Sequence, residues 1–148
     1  MEERDYTINL TVDATPQEVF KSINKVSKWW TENIEGSSAK LNDEFTVRFG
    51  DVHVSSQKLI KFIPDKKVVW LVTYSKLNFV EKKNEWTDTK ISFEISKQDD
   101  KTQLRFTHIG LVPEYECYDA CSNGWRQYIQ QSLLSFINTG KGQPSTKK

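Results

Sequence analysis

The stretch CYDACSNGWRQYIQQSLLSFI, residues 117–137, spaces Cys117, Cys121, Trp125, Tyr128, Ile129, Leu133, Phe136 and Ile137 three or four positions apart. That spacing gathers them on one stripe of a helix roughly five to six turns long. Pro113 suits its start, and Asn138-Thr139-Gly140 suits its stop. A helix this long and one-sided needs a wide apolar surface to cover, and the chain before it supplies one.

From about Lys40 to Leu111 the period is two. Phe45, Val47 and Phe49 alternate with Thr46 and Arg48, and Gly50-Asp51 turns the chain into a partner strand over Val52 to Phe62. Pro64-Asp65-Lys66-Lys67 is a turn by residue type. Val68-Val69-Trp70-Leu71-Val72-Thr73-Tyr74 after it has the β-branched and aromatic content of a central strand. A polar linker, Glu81 to Glu85, precedes a second hairpin: Ile91, Phe93 and Ile95, a turn at Gln98 to Lys101, then Leu104, Phe106 and His108.

At the other end, Tyr6, Ile8, Leu10 and Val12 alternate with polar residues as in a strand with one buried face. Thr15-Pro16-Gln17-Glu18 is a capping box with proline at the first helical position. Two short helices follow, the second ending near Trp29-Trp30. Short connections pair neighbouring strands in sequence. The expected architecture is therefore α+β: a bent antiparallel sheet of about six strands, two short helices after the first strand, and a long C-terminal helix across the sheet. Residues 1–140 read as one domain and 141–148 as a disordered basic tail.

Lys and Arg number 21 against 20 Asp and Glu, a net charge of +1 over 148 residues. Such a balance gives no field to gather nucleic acid phosphates. No segment approaches the length of a membrane-spanning helix, and the charged start MEERDYTINL is unlike a signal peptide, so a cytoplasmic location is expected. Cys117 and Cys121 lie on one helix face, where a disulfide is badly placed and reduced core thiols are expected. A Cys-x-x-x-Cys pair without a second ligand pair gives no basis for a metal. Nor is there a phosphate loop, a nucleophile elbow or a Ser/His/Asp order. No cofactor and no catalytic residue are assigned.

The strand order, the Trp29-Trp30 pair, Phe62-Ile63-Pro64-Asp65-Lys66-Lys67-Val68-Val69-Trp70, Leu104 to Leu111 and Gly124-Trp125-x-x-Tyr128 together resemble one family. It comprises the stand-alone bacterial relatives of the Hsp90 ATPase activator C-terminal domain, within the START-like (SRPBCC) superfamily. The resemblance covers residues 5 to 140 and rests on the order and spacing of short motifs. It implies a helix-grip fold with a cavity between sheet and long helix. It selects no activity, because relatives of this architecture carry ligands or catalyse cyclisation and hydrolysis.

His108 shares the inward face with Leu104 and Phe106, either as a ligand anchor or general base or as a core imidazole satisfied by a neighbour. His53 reads as solvent-facing, opposite in parity to Val52 and Val54. Trp30, Trp86 and Trp125, with Tyr74 on the sheet and Tyr118 on the helix, are the expected lining residues beside His108. Gly124 weakens a helix, which suggests close approach of its backbone to the sheet or a ligand. The leading reading is a binding protein for a small hydrophobic or amphipathic molecule. The alternatives are a cyclase- or hydrolase-like enzyme pairing His108 with Tyr74 or Tyr118, and a co-chaperone-like protein-interaction module.

Overall fold

A computed structural model describes residues 6–49, 53–78, 86–111 and 118–144. β1 (Tyr6–Val12) leads to α1 (Pro16–Asn24) and α2 (Val26–Trp29), then β2 (Ile34–Gly36), β3 (Glu44–Phe49), β4 (His53–Ile63), β5 (Lys67–Leu77), β6 (Lys90–Gln98) and β7 (Lys101–Ile109). The Thr15 capping box forms as expected: Glu18 N–H donates to Thr15 Oγ1 at 3.1 Å, and Thr15 N–H donates to Glu18 Oε1 at 2.9 Å. All seven strands make one antiparallel sheet, in the order β1-β7-β6-β5-β4-β3-β2. The strand beyond the expected six is β2, whose three residues are too few to show a period.

Two bulges shape the middle of the sheet. Ser56 pairs with Tyr74 but Gln57 with Val72, leaving Thr73 extra; Leu59 pairs with Trp70 but Lys61 with Val69, leaving Ile60 extra. Each bulge bends its strand and reverses which parity faces the core. In β5 the buried positions pass from Val68, Trp70 and Val72 to Ser75 and Leu77; in β4 they are His53, Ser55, Gln57 and Leu59.

The C-terminal helix runs through α3 (Tyr118–Trp125), a π-helical stretch (Arg126–Leu133) and α4 (Leu134–Thr139), ending at Gly140 in the left-handed region. Its proposed start at Pro113 lies outside the described residues. Cys121, Trp125, Ile129 and Leu133 are the buried apolar stripe. A stripe repeating every four residues drifts about 40° per step around a 3.6-residue helix. The looser i→i+5 winding takes up that drift and keeps Leu133 on the covered side. Phe136 and Ile137 are only partly buried against the core.

All five tryptophans are buried and joined in one stack. Trp29 and Trp70 lie 6.1 and 5.8 Å from Trp30, Trp30 lies 5.0 Å from Trp125, and Trp125 lies 5.6 Å from Trp86. Large flat side chains at these separations bury extensive apolar surface between helix and sheet.

Candidate functional site

The stack is incomplete at one end. Where the β3–β4 hairpin meets α3, a pocket of about 100 Å³ remains. Its walls are the indoles of Trp30, Trp86 and Trp125, with Phe49 and His53 from the hairpin and Tyr128 from the π-helical stretch. Ala120, Cys121 and Gly124 line it from α3, and exposed Ala120 with half-buried Phe49 and Tyr128 forms its mouth. A Cβ built on Gly124 would meet nothing within 4 Å. The missing side chain therefore leaves open space; the close backbone approach expected at this glycine is corrected.

His108 is buried behind the pocket and does not line it. Trp125 Nε1–H donates to its Nδ1 at 3.0 Å, so the ring proton sits on Nε2, 2.8 Å from Thr89 Oγ1. Thr89 passes its own proton to the Trp86 carbonyl at 2.6 Å. Thr89 fits here because Gly110, at φ +103, carries no Cβ; one would stand 2.9 Å from the Thr89 methyl. Burial, and secondarily the neighbouring His53, push the His108 pKa down to about 3, so the ring is neutral at ordinary pH. A neutral imidazole with both nitrogens engaged is a structural strut holding Trp86 and Trp125 in position. Proton transfer between His108 and either Tyr74 or Tyr118 has no geometric basis.

His53 occupies the place expected of a polar anchor. It is 9% exposed, set edge-on to Trp86 at 4.6 Å and to Phe49 at 5.0 Å, and burial pushes its pKa down to about 3. The solvent-facing assignment is therefore corrected. The bulge at Ile60 turns the odd-numbered half of β4 inward, so His53, Ser55 and Gln57 form a polar row on the buried face.

Of the residues expected to line the cavity, Trp30, Trp86 and Trp125 converge on it. Tyr74 does not: the extra residue Thr73 turns it outward, where it is 50% exposed. Tyr118 packs edge-on against Tyr6 at 6.2 Å, away from the lining. Sequence reading missed Phe49, His53, Ala120, Cys121 and Tyr128 as lining residues. Tyr128 had a signal in its place on the helix stripe, whereas His53 had none because its parity depends on a distant bulge. Cys121 is a buried free thiol accepting from Trp86 Nε1–H at 3.3 Å, and Cys117 lies outside the described residues. Among the described residues no three His, Cys, Asp or Glu side chains gather as a metal site requires, and no helix is long and apolar enough to cross a membrane.

A family model described as Activator of Hsp90 ATPase homolog 1-like protein matches residues 13–137. No curated protein gives a significant match. Among solved structures the chain is similar to the Aha1 dimer of Colwellia psychrerythraea: 25% identity, TM-score 0.75, covering 95% of this chain and 100% of that one. It is also similar to a protein of Mesorhizobium loti, at 14% identity and TM-score 0.72 over 91% of this chain and 96% of that one. CalU16 from Micromonospora echinospora matches at 15% identity and TM-score 0.66, over 91% and 76%. The latter two likenesses concern the fold alone. Since the family match runs from just after β1 into α4, the chain belongs to the Activator of Hsp90 ATPase homolog 1-like family, with its START-like helix-grip fold.

Proposed function

We propose that the protein binds one small, flat, apolar molecule in the pocket beneath α3. The carrying observation is a preformed gap of about 100 Å³, walled by three indoles and a phenyl ring and left open by a glycine. Sites for small ligands are characteristically apolar with few polar groups, as here. A dry apolar cavity of roughly 150 Å³ holds benzene, so a gap of about 100 Å³ with an open mouth has room for one ring at most and none for a lipid chain. Binding of toluene or acetophenone should be saturable and should shift the NMR signals of Trp30, Trp86 and Trp125. Gly124→Phe, which puts a ring into the gap, should abolish it. Absence of any saturable shift with single-ring compounds in the wild-type protein would sink this reading.

A second reading, docking to a chaperone, draws on the family description and on the outer face of the sheet. There Ile60, Val69 and Ile109 line a shallow depression edged by Lys61, Lys67 and Lys90. Ile60 and Ile109 are 38% and 40% exposed, apolar surface that a partner would cover. The test is the ATPase rate of Hsp90 with added protein. A rise that Ile109→Asp removes supports docking, and an unchanged rate with wild-type protein counts against it.

A further inference from the structure

The polar row on β4 bears on which ring nitrogen of His53, a pocket-lining residue, carries its hydrogen. Gln57, fully buried, donates from Nε2 to Ser55 Oγ at 2.6 Å. Among the described residues, the hydroxyl of Ser55, also fully buried, has one other hydrogen-bonding neighbour, His53 Nε2 at 2.9 Å. A hydroxyl has a single proton, and with Gln57 donating to its oxygen and no other acceptor beside it among the described residues, that buried proton is satisfied only by donating to His53 Nε2. A neutral imidazole accepting at Nε2 carries its hydrogen on Nδ1. Nδ1 has no hydrogen-bond partner among the described residues, while the ring is part of the pocket wall.

We infer that the row Gln57–Ser55–His53 sets the pocket to receive a single aromatic ring bearing a hydrogen-bond acceptor, such as an aryl ketone or a ring nitrogen, which takes the Nδ1–H of His53. This rests on the ligand-binding reading and narrows it. His108 has the opposite tautomer, imposed by the Trp125 N–H, so two buried imidazoles, each set nearly perpendicular to Trp86, carry their protons on different nitrogens. A pocket that offers a donor in apolar surroundings disfavours rings that leave the donor unpaired and rings that present only another donor.

Two measurements test this on the intact chain. Long-range proton–nitrogen NMR correlations on the ¹⁵N-labelled protein should show His53 neutral with Nδ1 protonated, and His108 neutral with Nε2 protonated. Isothermal titration with acetophenone and with cumene, which match in size and shape, should favour acetophenone by about three- to tenfold in the wild type relative to His53→Phe. An Nε2-protonated or cationic His53 overturns the inference whatever binds. Equal discrimination by wild type and variant overturns it while leaving ring binding intact. Failure of both rings to bind overturns the ligand reading and this one with it, and the NMR result stands separately should His53→Phe fail to fold.

Discussion

Trp125 is hung from His108: its indole Nε1–H donates to the imidazole Nδ1 at 3.0 Å while its ring stacks on Trp30 and Trp86. The pocket wall thus owes its shape to a histidine that never reaches the pocket. His108→Leu keeps the volume but leaves the indole N–H buried without an acceptor. It should cost about 1–3 kcal/mol in urea denaturation. An unchanged midpoint would mean that the bond does not hold Trp125.

Acidification should weaken the fold through both histidines. Each has its folded pKa lowered to about 3, chiefly by burial, against 6.5 when exposed. Their contribution is fully present above pH 6.5 and is lost as pH falls toward 3, because the unfolded chain takes up protons that the folded chain refuses. Between pH 6.5 and 5 the expected loss is about 2 kcal/mol for each ring. His108→Leu should roughly halve the histidine share of that slope. Equal slopes in the two proteins would show that His108 titrates normally.

Gly124 sits in a helix with open space where its Cβ would be. Gly124→Ala should therefore raise stability by about 0.5–1 kcal/mol, since the methyl relieves the backbone entropy of glycine without meeting a neighbour. A fall in thermal midpoint would reveal a contact that the geometry does not contain.

Cys121 lines the pocket yet is only 7% exposed, with its sulfur taken by the Trp86 N–H. Iodoacetamide should modify it slowly in the folded protein, and more slowly still with a ring compound bound, as read by peptide mass spectrometry. Modification as fast as in urea, or unaffected by a saturating ligand, would contradict this placement.

Tyr74 and Trp30 were expected to play the same part, and they separate cleanly in the fold. Tyr74→Ala removes a half-exposed ring and should change stability by no more than about 0.5 kcal/mol. Trp30→Ala empties a site that is 2% exposed and should cost about 3–5 kcal/mol. Comparable losses in the two variants would place Tyr74 in the core.

Much of the architecture was legible because each device acts locally. The Thr15 box needs four residues, and the strand of Leu104, Phe106 and His108 declares its inner face by simple alternation. What stayed hidden depends on partners distant in sequence. The extra residues Ile60 and Thr73 exist only relative to the opposite strand, and they decide that His53 faces inward and Tyr74 outward. Nothing in Val68 to Tyr74 alone marks the position at which the parity reverses. The helix stripe was visible, but its even spacing of four concealed a change of winding. Parity alone likewise misplaces the two histidines: it points to His108, the structural one, as the anchor and puts the pocket-lining His53 in solvent.

The five stacked indoles carry a consequence of another kind. Aromatic chromophores fixed at close range in an asymmetric fold give strong near-ultraviolet circular dichroism, which vanishes when tertiary packing loosens even if the helices persist. Because Trp30, Trp86 and Trp125 also form the pocket wall, the same optical signal reports on both the packing of the interior and whatever occupies the gap. The molecule carries its own gauge, and no label has to be added to read it.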